Sequence, residues 1–133
     1  MRTKIFSLAA AATLVLPAPA LAASPIEGLW TNPKKSVVVR IAPCGRNWCG
    51  EVVKANAREE AKAARYGMED LEGEQMLTAL RPSGSGKWKG QVYVPKLGRK
   101  VGSTVTMTSR NQMKVSGCFA GIICKTQLWS RVG

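Results

Sequence analysis

From Ser36 to Ala42 the chain alternates, with Val37, Val39 and Ile41 on one face and Val38 and Arg40 on the other, the period-two pattern of a half-buried strand. Short runs rich in β-branched and aromatic residues recur at 26–31, 50–55, 75–81, 87–94, 100–108, 112–118 and 125–132, which with 36–42 makes eight predicted strands. The segments between them carry turn chemistry, as in Asn32-Pro33-Lys34, Pro82 to Gly86, Pro95-Lys96-Leu97-Gly98 and Ser109-Arg110-Asn111. Short loops between successive strands favour antiparallel neighbours, and eight such strands close into an up-and-down barrel that leaves no exposed edge. The predicted fold is all-β: a small eight-stranded antiparallel barrel with one short helix.

That helix is where the alternation stops. Ala57 to Tyr66 is rich in Ala, Glu, Lys and Arg, which favour helix. Asn56 is placed to cap it, Glu59 stands three residues on as in a capping box, and Gly67 suits the C′ position. Met68 to Glu74 is acidic and irregular. Residues 57–74 are expected to cross one end of the barrel, as a connector or as a lid.

The amino end has a different texture. A positive start, Met1-Arg2-Thr3-Lys4, leads into an apolar run from Ile5 to Leu16, broken by Pro17 and followed by the small-x-small triplet Ala20-Leu21-Ala22. This three-part pattern predicts a signal peptide over 1–22 and a single β-barrel domain over 23–133. The run is too short to span a bilayer core of about 30 Å, and Ala23-Ser24 stands where a lipoprotein would have its cysteine. The expected location is periplasmic or secreted.

Removing residues 1–22 leaves 111 residues with 18 basic and 8 acidic side chains, a net charge of +10. Six of the acids, from Glu59 to Glu74, fall in the 57–74 segment, so the remainder is more positive still. Such a field attracts anions, among them lipid headgroups and other anionic envelope surfaces. The cysteines number four, Cys44, Cys49, Cys118 and Cys124, and in an oxidising compartment an even number predicts disulfides. Three connectivities are open; the local one, Cys44–Cys49 with Cys118–Cys124, is favoured because each pair brackets a short loop containing glycine. With no histidine and no C-x-x-C spacing, a zinc site is not expected, and the sequence implies no cofactor.

Strand alternation supplies an inward set: Trp30; Val37, Val39 and Ile41; Trp88, Val92 and Val94; Val105 and Met107; Met113 and Val115; and Leu128. Of these, Trp30, Trp88, Val92, Val105 and Met107 are the candidate ligand contacts. An eight-stranded barrel is just wide enough for side chains or one small ligand, and with short strands the interior is expected to be filled or nearly so. Gly28 allows the chain to pass close to the Trp30 indole, and Trp129 and Arg131 share a face of the last strand. The first and last strands are neighbours in a closed barrel, so Gly28, Trp30, Trp129 and Arg131 are the candidate closure residues, with Arg131 stacking on Trp30 or Trp129.

Taken in order, these residues resemble a known family. Gly28-Leu29-Trp30, Ile41-Ala42-Pro43-Cys44-Gly45 with Cys49-Gly50, Leu80-Arg81-Pro82, Lys87-Trp88-Lys89-Gly90 leading into Val92-Tyr93, Val115-Ser116-Gly117-Cys118, and Thr126 to Arg131 are similar to motifs of the domain of unknown function 2147 family, small secreted proteobacterial proteins. The resemblance spans nearly the whole chain after the signal segment and implies a lipocalin-like barrel, with no activity attached. Where many members have a longer Asp/Pro/Asn-rich segment after the second cysteine, this chain has its Ala/Glu-rich helix.

Catalysis is poorly served. Without histidine no Ser-His or Cys-His relay can be built, oxidised cysteines supply no thiolate, and the glycine loops match no phosphate-binding or dinucleotide fingerprint. Positive charge and four tryptophans would suit nucleic acid, but an exported protein rarely meets it. The expected function is therefore non-enzymatic: a lipocalin-like monomer binding a small apolar or anionic envelope molecule. The alternatives are an inhibitor of a secreted enzyme and a structural envelope protein.

Overall fold

The apolar faces read from the sequence converge on one interior. A computed structural model describes residues 9–15, 24–120 and 122–133. Strands β1 (Gly28–Thr31), β2 (Val37–Cys44), β3 (Asn47–Ala55), β4 (Gln75–Pro82), β5 (Lys87–Val94), β6 (Arg99–Ser109), β7 (Gln112–Phe119) and β8 (Ile123–Arg131) form a closed antiparallel barrel in sequence order. β8 returns to β1 through Trp30 opposite Arg131 and Thr31 opposite Ser130. Helix α1 (Ala57–Ala64) lies between β3 and β4, and a 3-10 turn, Pro95–Leu97, joins β5 to β6. Of the predicted signal segment, 1–8 and 16–22 lie outside the described residues; 9–15 form no helix or strand.

The barrel departs from simple alternation at β4. Leu77 and Leu80 are both buried, at 3% and 0% exposure, although residues three apart on a regular strand face opposite ways. A bulge between Thr78 and Arg81, with Ala79 at φ 54°, restores the register. Gly90 on β5 faces this bulge with no side chain to obstruct it.

Helix α1 is fixed at both ends. The Asn56 side chain accepts from the Glu59 N–H at 2.9 Å, and the Gly67 and Met68 N–H groups return to Ala64 and Ala63 carbonyls at 3.1 Å each with Gly67 at φ 82°, a Schellman-type ending. The capping box is one-sided, however. Glu59 accepts from the Ser36 hydroxyl instead (3.2 Å), and the Asn56 N–H donates to the Ser36 carbonyl (3.0 Å), so the box residues tie the helix to the β1–β2 loop. Glu60 accepts from the Leu71 and Glu72 N–H groups at 2.9 and 3.3 Å, pinning the acidic segment to the helix. Asn56→Ala is expected to cost about 1 kcal/mol and to raise amide exchange over 57–66 ahead of the strands. Exchange rising equally in helix and barrel would show that the helix does not move as a separate unit.

Candidate functional site

The two ends of the barrel are built differently. At one end lie the β2–β3, β4–β5 and β6–β7 hairpins together with residues 24–28 and 131–133. Trp30, fully buried, donates its indole N–H to the Ile26 carbonyl at 2.8 Å. The Arg131 guanidinium sits 4.3 Å from the centroid of the Trp30 ring and donates to the carbonyls of Pro25, Glu27 and Arg110 at 2.5, 2.6 and 3.0 Å. Trp48 donates to Glu27 Oε1 at 2.8 Å. Gly28 makes this clasp possible: a Cβ there would lie 2.6 Å from Arg131 Nη1 and from the Gly133 carbonyl oxygen, and its φ of 131° excludes most side chains. Below the clasp, Ile26, Leu80, Val105 and Met113 are fully buried. This end is sealed.

The opposite end is a cup. A cavity of about 500 Å³ lies between α1 and the walls, lined by Val39, Val52, Leu77, Val92, Val115 and Trp129 among others. Ala63, Tyr66 and Leu71 of the helix segment roof it. A second lobe of about 420 Å³ shares Val92, Val94, Val115, Gln127 and Trp129 with the first and extends under Leu97, Phe119 and Ile123. The polar side chains on these apolar walls include Lys62, Lys96, Lys125, Gln127 and Glu59. The lining itself carries three lysines against the one carboxylate of Glu59, which accepts from the Ser36 hydroxyl.

Each end carries one disulfide, Cys44–Cys49 across the β2–β3 hairpin at the sealed end and Cys118–Cys124 between directly opposed residues of β7 and β8 at the cup. Among the described residues no cysteine is free, and no three His, Cys, Asp or Glu side chains gather as a metal would require. No described helix is long and apolar enough to cross a membrane.

The family described as "Uncharacterized protein conserved in bacteria (DUF2147)" matches residues 28–131. This chain belongs to the DUF2147 family. The matched span of this DUF2147 protein holds all eight strands, the helix, both disulfides and the Trp30–Arg131 clasp. Among solved structures, protein HP1028 from Helicobacter pylori, described as belonging to the lipocalin family, superposes with a TM-score of 0.58. The alignment covers 81% of this chain and 83% of that one at 15% sequence identity, which shows a shared lipocalin-like fold. No curated protein sequence matches the chain.

The candidate ligand contacts divide between the two ends. Val92 lines both lobes of the cup. Trp30 and Val105 are at 0% exposure in the sealed half, and Trp88, also in the core, and Met107 packed against it border a wide, open depression of about 760 Å³ at the sealed end. Of the closure set, Gly28, Trp30 and Arg131 form the clasp, whereas Trp129 lies in the cup. Leu128 faces outward at 48% exposure; β8 presents Lys125, Gln127 and Trp129 inward instead. The expectation of a nearly filled interior holds for the sealed half alone. Strand alternation did not reveal the helix residues of the roof or the inward lysine and glutamine of β8.

Proposed function

We propose that this DUF2147 protein is an exported, non-enzymatic binding protein whose cup holds one small, largely apolar molecule with an acidic group at the mouth. The observation that carries the reading is the roughly 500 Å³ cavity with aliphatic and aromatic walls, roofed by α1 and backed by a sealed barrel end. Such a volume lies within the range of about 300–1,000 Å³ typical of small-molecule sites. Lys62, Lys96 and Lys125 supply the positive charge that an acidic head would meet. Export is supported by the paired cysteines and by the amino-terminal pattern, whose Leu14 and Val15 are 90% and 89% exposed and so contribute nothing to the barrel core. A sheet closed on itself has no free edge to pair with a second copy, in keeping with a monomer.

A dansyl-labelled undecanoic acid is expected to bind saturably with one-to-one stoichiometry, read by its emission. Val92→Trp, placed where the lobes meet, should weaken binding more than about tenfold, equivalent to ~1.4 kcal/mol, while Leu128→Trp on the outer face should leave it unchanged. Equal binding by wild type and Val92→Trp would place the probe elsewhere and sink the reading.

A further inference from the structure

The charge of this protein is divided along the chain and around the barrel. Residues 24–74 hold eight basic and eight acidic side chains, whereas residues 75–133 hold ten basic and none acidic. Within 24–74, the β1–β3 part (24–56) holds five basic and two acidic side chains and the helix segment (57–74) three basic and six acidic. The larger and unopposed share of positive charge therefore sits on β4 to β8 and their connections, a continuous stretch of wall. At the cup end this cationic wall finishes in two adjoining features. The 3-10 turn presents Lys96 and Leu97, with Arg99 and Lys100 following, and the end of the β7–β8 connection and the first residue of β8 present Ile122 and Ile123, with Lys125 following. They meet in space, since Leu97, Ile123, Lys96 and Lys125 line the same lobe and the Arg99 guanidinium lies 4.5 Å from the Phe119 ring centroid.

The apolar side chains here face solvent: Ile122 is 85%, Ile123 63% and Leu97 43% exposed. The Cys118–Cys124 bridge immediately behind the isoleucines holds the two strands together at the base of the tip, so little conformational freedom remains to be lost when the tip is covered. A soluble surface gains nothing from two adjacent exposed isoleucines, but a bilayer interface accepts apolar tips, and anionic headgroups accept the cations around them.

We infer that this rim, the isoleucine tip of β7–β8 with the basic 3-10 turn beside it, docks on an anionic phospholipid surface. The wall of β4 to β8, which carries no acidic side chain, orients the approach, because the more positive side of an uneven field is steered toward negative charge. The isoleucines and Leu97 then enter the headgroup region. This surface does not depend on the cup holding a ligand, so it stands or falls separately from the binding proposal.

The test is co-sedimentation of the chain lacking residues 1–22, which retains all eight strands, with vesicles in the absence of any probe. Vesicles of phosphatidylcholine with phosphatidylglycerol at about 7:3 should bind it, pure phosphatidylcholine should not, and binding should fall steeply between roughly 50 and 500 mM NaCl. Arg99→Glu with Lys100→Glu should lower association at least about 25-fold, near fivefold for each basic residue. Lys87→Glu with Lys89→Glu, exposed on the same wall but at the sealed end and removing the same charge, should lower it far less. Ile122→Ser with Ile123→Ser should lower it about tenfold with the far-ultraviolet spectrum unchanged. Equal losses from the two charge-reversed pairs, or wild-type binding by the isoleucine variant, would mean diffuse attraction by a basic protein and would overturn the inference. Absence of binding to the phosphatidylglycerol vesicles, or equal binding to pure phosphatidylcholine, would overturn it outright.

Discussion

Trp30→Ala is expected to remove about 3–5 kcal/mol of stability, a large part of the roughly 5–15 kcal/mol available to a domain of this size. The indole is the largest fully buried side chain in the barrel. It satisfies the Ile26 carbonyl and supports the Arg131 guanidinium, which in turn gathers the carbonyls of Pro25, Glu27 and Arg110. Truncation would therefore leave a cavity, an unpaired carbonyl and an unsupported guanidinium together. Arg131→Lys keeps the charge but loses the planar fork and its stacking, and should cost a smaller ~1.5–3 kcal/mol, the range of hydrogen bonds to a charged group. Equilibrium urea unfolding monitored by circular dichroism reads both. A loss below about 1 kcal/mol for Trp30→Ala would show that the sealed end is held by the hairpins rather than by the clasp.

Two glycines should respond oppositely to the same added methyl group. Gly90 lies beneath the β4 bulge, and a Cβ there would stand 2.5 Å from the Thr78 carbonyl oxygen and 2.9 Å from the Leu80 N and Cδ2. Backbone atoms cannot swing aside, so Gly90→Ala must move β4 and is expected to cost about 3 kcal/mol, the upper part of the usual overpacking range. Gly102 on β6 has no neighbour within 4 Å of such a Cβ and no positive φ. Gly102→Ala should therefore stabilise by about 0.5–1 kcal/mol by restricting the unfolded chain. Thermal unfolding of the two variants side by side should move the midpoint down for Gly90 and up for Gly102. Shifts of the same sign would show that the close approach at the bulge is not what excludes a side chain.

Much of this barrel was legible in its sequence because strand alternation is a local signal. β2, β5, β6 and β7 follow the apolar pattern, and Asn56 and Gly67 frame the helix where helix chemistry places them. The clasp of Trp30 and Arg131 was legible too, since closure forces the first and last strands together. Bulges are less visible. Nothing in Gln75 to Pro82 announces that Ala79 will adopt a positive φ, and without that step Leu77 and Leu80 cannot both face inward. Leu128 misled for a related reason: on β8 the inward face holds Lys125, Gln127, Trp129 and Arg131, and the aliphatic side chain is left outside. Height along the barrel axis was the least readable quantity. It depends on the stagger between strands, so alternation could place Val105 and Val92 inside without showing that one belongs to the plug and the other to the cup.

The seam between β1 and β8 sets a condition on timing. Trp30 meets Arg131 across almost the entire chain, and Leu29 exchanges hydrogen bonds with Val132 and Gly133 at 2.8 Å each. A polypeptide threaded through a membrane from its amino end, as the proposed export requires, delivers β8 last. Until then the clasp has no arginine, the first strand has one unpaired edge, and the barrel cannot close. Such late, long-range pairing is slow, which keeps the chain pliable during transit and commits it to its final shape only when translocation is complete.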